Sequence, residues 1–260
     1  MTFAPLSQFV ATHARNIRLV ATDMDGTLTQ NGKFTTELLQ ALADLASAGI
    51  DVLIVTGRSA GWVSGLTNYL PIAGAIAENG GLFYQSGNEN PLFLKAIPNL
   101  TQHRTKLAQC FQQLQTEFPQ IRESNDNCFR ITDWTFDVFG LNPTQLQKLG
   151  ELCQVQGWGF TYSNVQCHIK PLGQDKAVGL LQVLHQYYPQ LTLEQVITVG
   201  DSPNDESLFD ASKFPLSVGV SNVLHYIEKL AYQPRYITDA AEGKGFCELA
   251  QPLILASGKI

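Results

Sequence analysis

The sequence predicts an α/β protein, a doubly wound parallel sheet interrupted by a small α+β insert, and three observations carry that expectation. Short apolar runs alternate with segments of helical periodicity, the pattern of strands buried beneath helices on both faces. The alternation fails between about Tyr84 and His168 and then resumes. Polar clusters rich in Asp, Thr, Asn and Gly follow several of the apolar runs, and an open α/β sheet binds ligands beyond the carboxyl ends of its strands.

The elements follow in order. Leu6, Phe9, Val10 and His13 space a short N-terminal helix leaning on the core. Residues 18–22 form the first core strand, and Leu38, Leu39, Leu42, Leu45 and Ala46 repeat at helical spacing until Gly49 stops them. Strands at 51–56 and 74–78 complete the first half. The insert opens after the turn-rich Ser86-Gly87-Asn88-Glu89-Asn90-Pro91 with a helix carrying Leu107, Cys110, Phe111, Leu114 and Phe118. Paired strands at 128–132 and 135–141 come next, then a helix capped by Asn142 and Pro143, then a hairpin at 158–163 and 165–170. Ala177, Val178, Leu180, Leu181 and Leu184 begin the second half as a helix, followed by strands at 195–200, 215–220 and 235–238, with Pro203 in the first turn of a helix. The expected division is therefore a core of 1–83 and 169–260 around an insert of 84–168. With strands ordered 3-2-1-4-5-6, the first and fourth flank the switch point, which makes neighbours of Asp23 and Asp201.

Composition narrows the function. The chain has 260 residues, 44% of them hydrophobic and 15% charged, which suits a globular protein with a sizeable core. A formal charge of -6 with no basic run argues against nucleic acid or an anionic membrane as partner. No stretch approaches the roughly 18 apolar residues of a membrane span, and no secretory leader is evident. Cys110, Cys128, Cys153, Cys167 and Cys247 are odd in number and widely spaced, which favours buried free thiols and a cytoplasmic location over disulfides or zinc.

Asp23-Met24-Asp25-Gly26-Thr27 sets two carboxylates two residues apart at a strand end. Alone this is also an ordinary turn with a helix cap. Its company gives it chemistry: Thr56-Gly57-Arg58, Lys176 at a helix start, and Gly200-Asp201-Ser202-Pro203-Asn204-Asp205 all border predicted core strands. Clustered carboxylates need a cation, and hard oxygen donors suit Mg²⁺. Asp23, the Asp25 backbone carbonyl and Asp201 are the expected ligands, with Asp205 or Asn204 completing the set. Asp23 is also the expected nucleophile, forming an aspartyl-phosphate, and Asp25 the acid and base serving the leaving group and then water. Thr56 and Lys176 stabilise phosphoryl charge. Gly57, Arg58, Asn79, Asn204 and, from the insert, Arg130 are candidate substrate contacts. Asp137, His168 and Lys170 more simply read as a polar strand face, and Trp134, Trp158 and Tyr162 as insert core.

Taken together these segments resemble the haloacid dehalogenase superfamily, in the Cof-like branch whose cap lies between the second and third motifs. Asp23 to Leu28 matches the first motif, Thr56-Gly57-Arg58 the second, Lys176 the third and Gly200 to Asp205 the fourth. Glu78-Asn79-Gly80-Gly81 and Glu242-Gly243-Lys244-Gly245-Phe246 match further segments of the branch. The resemblance implies a Rossmann-like core, a cap that closes over the site and selects the leaving group, and a small phosphorylated metabolite as substrate, chiefly a sugar phosphate or phosphorylated glycoside. Two other readings use related chemistry. A sugar phosphomutase would need a bisphosphate activator and release no phosphate; a phosphoaspartate signalling domain would show no multiple turnover.

Overall fold

The computed structural model describes residues 3–88 and 90–258, so Glu89 of the turn-rich stretch lies outside the described residues. The large sheet contains β1 (Ala4–Pro5), β2 (Leu19–Thr22), β3 (Asp51–Val55), β4 (Gly74–Ala77), β5 (Leu82–Gln85), β6 (Leu92–Phe93), β10 (Val196–Gly200), β11 (Ser217–Gly219) and β12 (Tyr236–Ile237). A small sheet holds β7 (Trp134–Asp137), β8 (Trp158–Tyr162) and β9 (Gln166–Pro171). Helices are α1 (Leu6–His13), α2 (Thr36–Ser47), α3 (Ala60–Tyr69), α4 (Leu100–Glu117), α5 (Pro143–Val155), α6 (Lys176–Tyr187) and α7 (Glu242–Ser257).

The large sheet runs β1-β12-β11-β10-β2-β3-β4-β5-β6. Its six central strands follow the expected order, and β2 pairs in parallel with both β3 and β10. Alternation along β2 explains its two-sided burial: Val20 joins the core beneath α2 and α7, while Leu19 and Ala21 face the core built by α6. The short helices flanking the sheet bury only one stripe each, such as Leu38, Leu42 and Leu45 on α2. Among the described residues no helix is long and apolar enough to cross a membrane.

Three expectations need correction. The sheet is not wholly parallel, because β5 and β6 extend it antiparallel past residue 84. Glu78, Asn79 and Gly80 all take positive φ and reverse the chain at once, where a crossover helix had no room to form. Second, 128–132 is not a strand: Asn125–Phe129 is a 3-10 helix, and the N–H groups of Ile131, Thr132 and Asp133 go to the Glu78 carboxylate instead of a sheet partner. β7 therefore pairs with β9, giving the order β7-β9-β8. Third, Cys128 is exposed and Cys247 partly so, although every cysteine is a free thiol.

The small sheet is covered by α4 and α5 through Leu107, Phe111, Leu114, Leu149 and Cys153 packed on Phe136 and Ile169. Asn142 caps α5 as expected, in a full capping box with Gln145. Lys95 Nζ donates to the Leu172 carbonyl at 3.0 Å and so ties together the two chain segments that join this unit to the large sheet.

Candidate active site

β2 ends at Thr22, and the Asp23 N–H still continues the ladder, donating to Val199 O at 2.9 Å. The chain then turns tightly, with Leu28 N and Thr29 N both donating to Met24 O. Gly26 has φ +87°, and a Cβ there would lie 2.6 Å from Asp201 Oδ2. Only glycine fits this approach. The hairpin-like turn from Gln30 to Lys33 that follows is short, and Thr35 caps α2 by accepting from Leu38 N.

Opposite, β10 delivers Asp201. Thr27 Oγ1 donates to its Oδ1 at 3.0 Å and Asn222 Nδ2 to its Oδ2 at 2.9 Å. Lys176, the first residue of α6 and fully buried, bridges Asp23 Oδ1 at 2.5 Å and Asp205 Oδ1 at 2.6 Å. Asp205 Oδ2 accepts from the Asp201 and Ser202 N–H groups, so Asp205 anchors both the lysine and the loop. Carboxylate oxygens of Asp23, Asp201 and Asp205 lie within 4.8 Å of one another.

These charges are not balanced within the protein. Burial, then the neighbouring Asp205, pushes Asp23 up to about 7 against the pull of Lys176. Burial followed by Asp23 and Asp205 holds Asp201 well above the ordinary carboxylate range. Burial opposes the charge on Lys176, yet Asp205 and Asp23 outweigh it and raise its pKa. Three buried carboxylates facing one ammonium leave room, electrostatically, for a divalent cation, and an all-oxygen donor set fits Mg²⁺. Asp25 is not part of this cluster through its side chain. Both of its oxygens receive the Arg58 guanidinium, at 2.7 and 2.8 Å, so Arg58 must withdraw before Asp25 can serve a leaving group.

The second strand end contributes Thr56, buried, whose Oγ1 accepts from Arg58 N at 3.1 Å. Asp23, Asp25, Thr56, Gly57, Arg58 and Asn204 border one cavity of about 20 Å³, roofed by Ser163, Val165, Gln166 and His168 of the small unit. That is space for about one water molecule. Asn79 lies just behind it, bonded to Asn204 at 3.1 Å.

Arg130 is the sequence candidate that the structure keeps away from this cavity. It is 4% exposed and committed to Asp126, Asp133, Gln166 and the Gly57 carbonyl. It fastens the small unit to the Thr56-Gly57-Arg58 loop. His168 takes the place on the cavity wall that the sequence reading withheld from it. Its signal was faint, since an alternating strand puts polar residues on an outer face as readily as over a site. Glu78 was also passed over: buried and pushed upward by burial and then by Asp133, it accepts from Ala60, Ile131, Thr132 and Asp133 N–H groups and so joins the two units.

A family model described as haloacid dehalogenase-like hydrolase matches residues 20–133 and 106–246. Among curated relatives, a phosphoglycolate phosphatase of Metallosphaera sedula is 26% identical over 83% of this chain and 90% of its own length. Phosphoglycolate phosphatase 1 of Saccharolobus solfataricus is 28% identical over 92% of this chain and 96% of its own. In three dimensions the chain is similar to a Thermoplasma acidophilum protein, with a TM-score of 0.73, 20% identity and coverage of 91% of this chain and 98% of that one. The C-terminal domain of C. albicans trehalose-6-phosphate phosphatase gives 0.70 at 15% identity, covering 99% and 98%. At such identities these two structures speak for the fold alone.

Proposed function

The chain belongs to the haloacid dehalogenase-like hydrolases and is a phosphatase acting on phosphoric monoesters; from that premise we propose a Mg²⁺-dependent reaction through an aspartyl-phosphate on Asp23. The substrate is a small phosphorylated metabolite, and we favour a sugar or glycosyl phosphate; the name of the archaeal relatives makes phosphoglycolate the competing candidate. The observation that carries this reading is convergence. Residues as distant in sequence as Asp23, Lys176 and Asp201 meet beneath one cavity, with Thr56 on its wall.

An oxygen of Asp23 attacks phosphorus while the ester P–O bond breaks. The departing alkoxide takes a proton from Asp25, once the incoming anion has drawn Arg58 away. Asp25 then removes a proton from water, which attacks phosphorus and returns Asp23 as a carboxylate with inorganic phosphate released. Lys176, Thr56 Oγ1 and nearby backbone N–H groups bear the charge of the phosphoryl oxygens. Mg²⁺ held by Asp23, Asp201 and the Asp25 carbonyl, with Asp205 or Asn204 alongside, would supply the positive charge that lets a dianion approach carboxylates. We assign the small-sheet unit the role of a cap, since a cavity of about 20 Å³ admits no phosphorylated substrate until that unit moves.

A screen of phosphorylated metabolites for Mg²⁺-dependent release of free phosphate tests the reading. Asp23→Asn should stay folded and lose turnover. An active Asp23→Asn protein would remove covalent catalysis, and phosphate moved between hydroxyls without release would favour a mutase.

A further inference from the structure

The roof of the small cavity carries a buried histidine that hydrolysis as outlined above does not use. His168 sits on β9, and its ring meets the core at Gly57. A Cβ on Gly57 would lie 3.1 Å from His168 Nε2 and 3.2 Å from Asn79 Nδ2. The missing side chain leaves a narrow gap, with an imidazole of the small unit on one side and a core amide on the other.

Each side has a fixed polarity. His168 Nδ1 faces Asp133 Oδ2 at 2.8 Å, and Arg130 holds the same carboxylate at 2.9 Å. Burial works against the Asp133 charge, but Arg130 and His168 outweigh it and keep the carboxyl below its usual range. Nδ1 is therefore the donor, which leaves Nε2 a lone pair; burial lowers the imidazole pKa and preserves that neutral state. Among the described residues Nε2 makes no hydrogen bond. Across the gap, Ser202 Oγ donates to Asn204 Oδ1 at 2.7 Å and Asn204 Nδ2 to Asn79 Oδ1 at 3.1 Å. This relay turns Asn79 Nδ2 outward, buried and without a partner.

Buried polar groups are normally satisfied, and one ligand group can satisfy both of these. A hydroxyl donates to Nε2 and accepts from Nδ2. A carboxylate offers only acceptors and sets its lone pairs against that of Nε2, while a methyl group satisfies neither. Beyond Asn79 and Asn204 a cavity of about 260 Å³ is lined by Thr161, Lys170, Glu206, Lys213 and Tyr232, a polar space for the rest of such a leaving group.

Resting on the phosphatase reading above, we propose that Asn79 and His168 form a hydroxyl-reading subsite, which selects phosphorylated polyols or sugars over phosphorylated carboxylic acids. Three esters that differ only in the group beside the ester carbon test it: hydroxyethyl phosphate, ethyl phosphate and phosphoglycolate. With Mg²⁺ and the full chain, kcat/KM for hydroxyethyl phosphate should exceed that for each of the others by about tenfold or more, the value of one well-placed hydrogen bond. In His168→Ala, and independently in Asn79→Gly, which tolerates the positive φ, the hydroxyethyl-to-ethyl ratio should fall toward unity. Each ratio is taken within one preparation, so partial misfolding cancels. Equal or preferred use of phosphoglycolate, or a ratio unchanged in both variants, overturns the subsite while sparing the phosphatase reading. Absence of turnover with these esters and with p-nitrophenyl phosphate overturns both.

Discussion

Magnesium should protect this protein against heat more strongly at neutral than at acid pH, by an amount that Asp23 sets. In the metal-free fold Asp23 is raised from 3.8 to about 7, chiefly by burial and then by Asp205. Between those values the folded chain binds a proton that the unfolded chain does not, so metal-free stability falls as pH rises through the window, by up to ~4 kcal/mol. A cation must displace that proton below neutrality. At about pH 5 its binding is then roughly 100-fold weaker than at about pH 8, a difference of ~2.7 kcal/mol. With Mg²⁺ saturating at both, its stabilising increment differs by the same amount, which for a chain of this size is about 5–10 °C in Tm. His13, His103 and His168 are lowered, each first by burial, and slope the opposite way; being common to both forms they cancel in the increment. Thermal melts with and without Mg²⁺ measure it directly. An increment independent of pH, or one retained in Asp201→Asn, would refute the assignment of these carboxylates to the cation.

Other perturbations have equally definite outcomes. Lys176→Met leaves Asp23 and Asp205 facing one another unpaired; breaking such a buried pair costs about 3–5 kcal/mol, and kcat should fall at least ~100-fold, so melts and phosphate release should both register it, and wild-type turnover would exclude Lys176 from catalysis. Arg58→Ala should change stability by no more than about 1 kcal/mol, since its pair with Asp25 is partly exposed, yet raise KM at least ~10-fold; an unchanged KM removes Arg58 from substrate binding. Glu78→Ala strips the acceptor from the N–H groups of Ala60, Ile131, Thr132 and Asp133 and should lower unfolding free energy by about 3–5 kcal/mol, with Glu78→Gln recovering part of it. Denaturant titration showing less than about 1 kcal/mol lost in Glu78→Ala would mean the latch bears no load.

The central sheet and its carboxyl-end site were legible because both obey local rules. Runs such as 195–200 are buried on both faces, and a strand buried this way must be apolar throughout; the polar residues just beyond it, Asp201 to Asp205, stand out by contrast. Asp23 and Asp201 could be paired from topology alone. The insert was read less well because its backbone is satisfied from a distance. Nothing local to Ile131, Thr132 and Asp133 announces that their N–H groups belong to Glu78, which lies on the other side of the hinge. Arg130 and His168 exchanged expected places for the same reason: which way a strand face or loop side chain points depends on how the two units dock. The Asp25 to Arg58 pair was likewise hidden, since each residue had its own expected task and their meeting is a matter of side-chain reach.

The central claim is that Asp23 carries the phosphoryl group. Its most direct test is Asp25→Asn mixed with p-nitrophenyl phosphate and Mg²⁺, a leaving group that needs no proton, followed by acid quench and peptide mass analysis. A burst of nitrophenol stoichiometric with enzyme, and a PO₃ adduct confined to the peptide containing Asp23, is the expected result. Phosphate release with no adduct, or an adduct on any other residue, would contradict it.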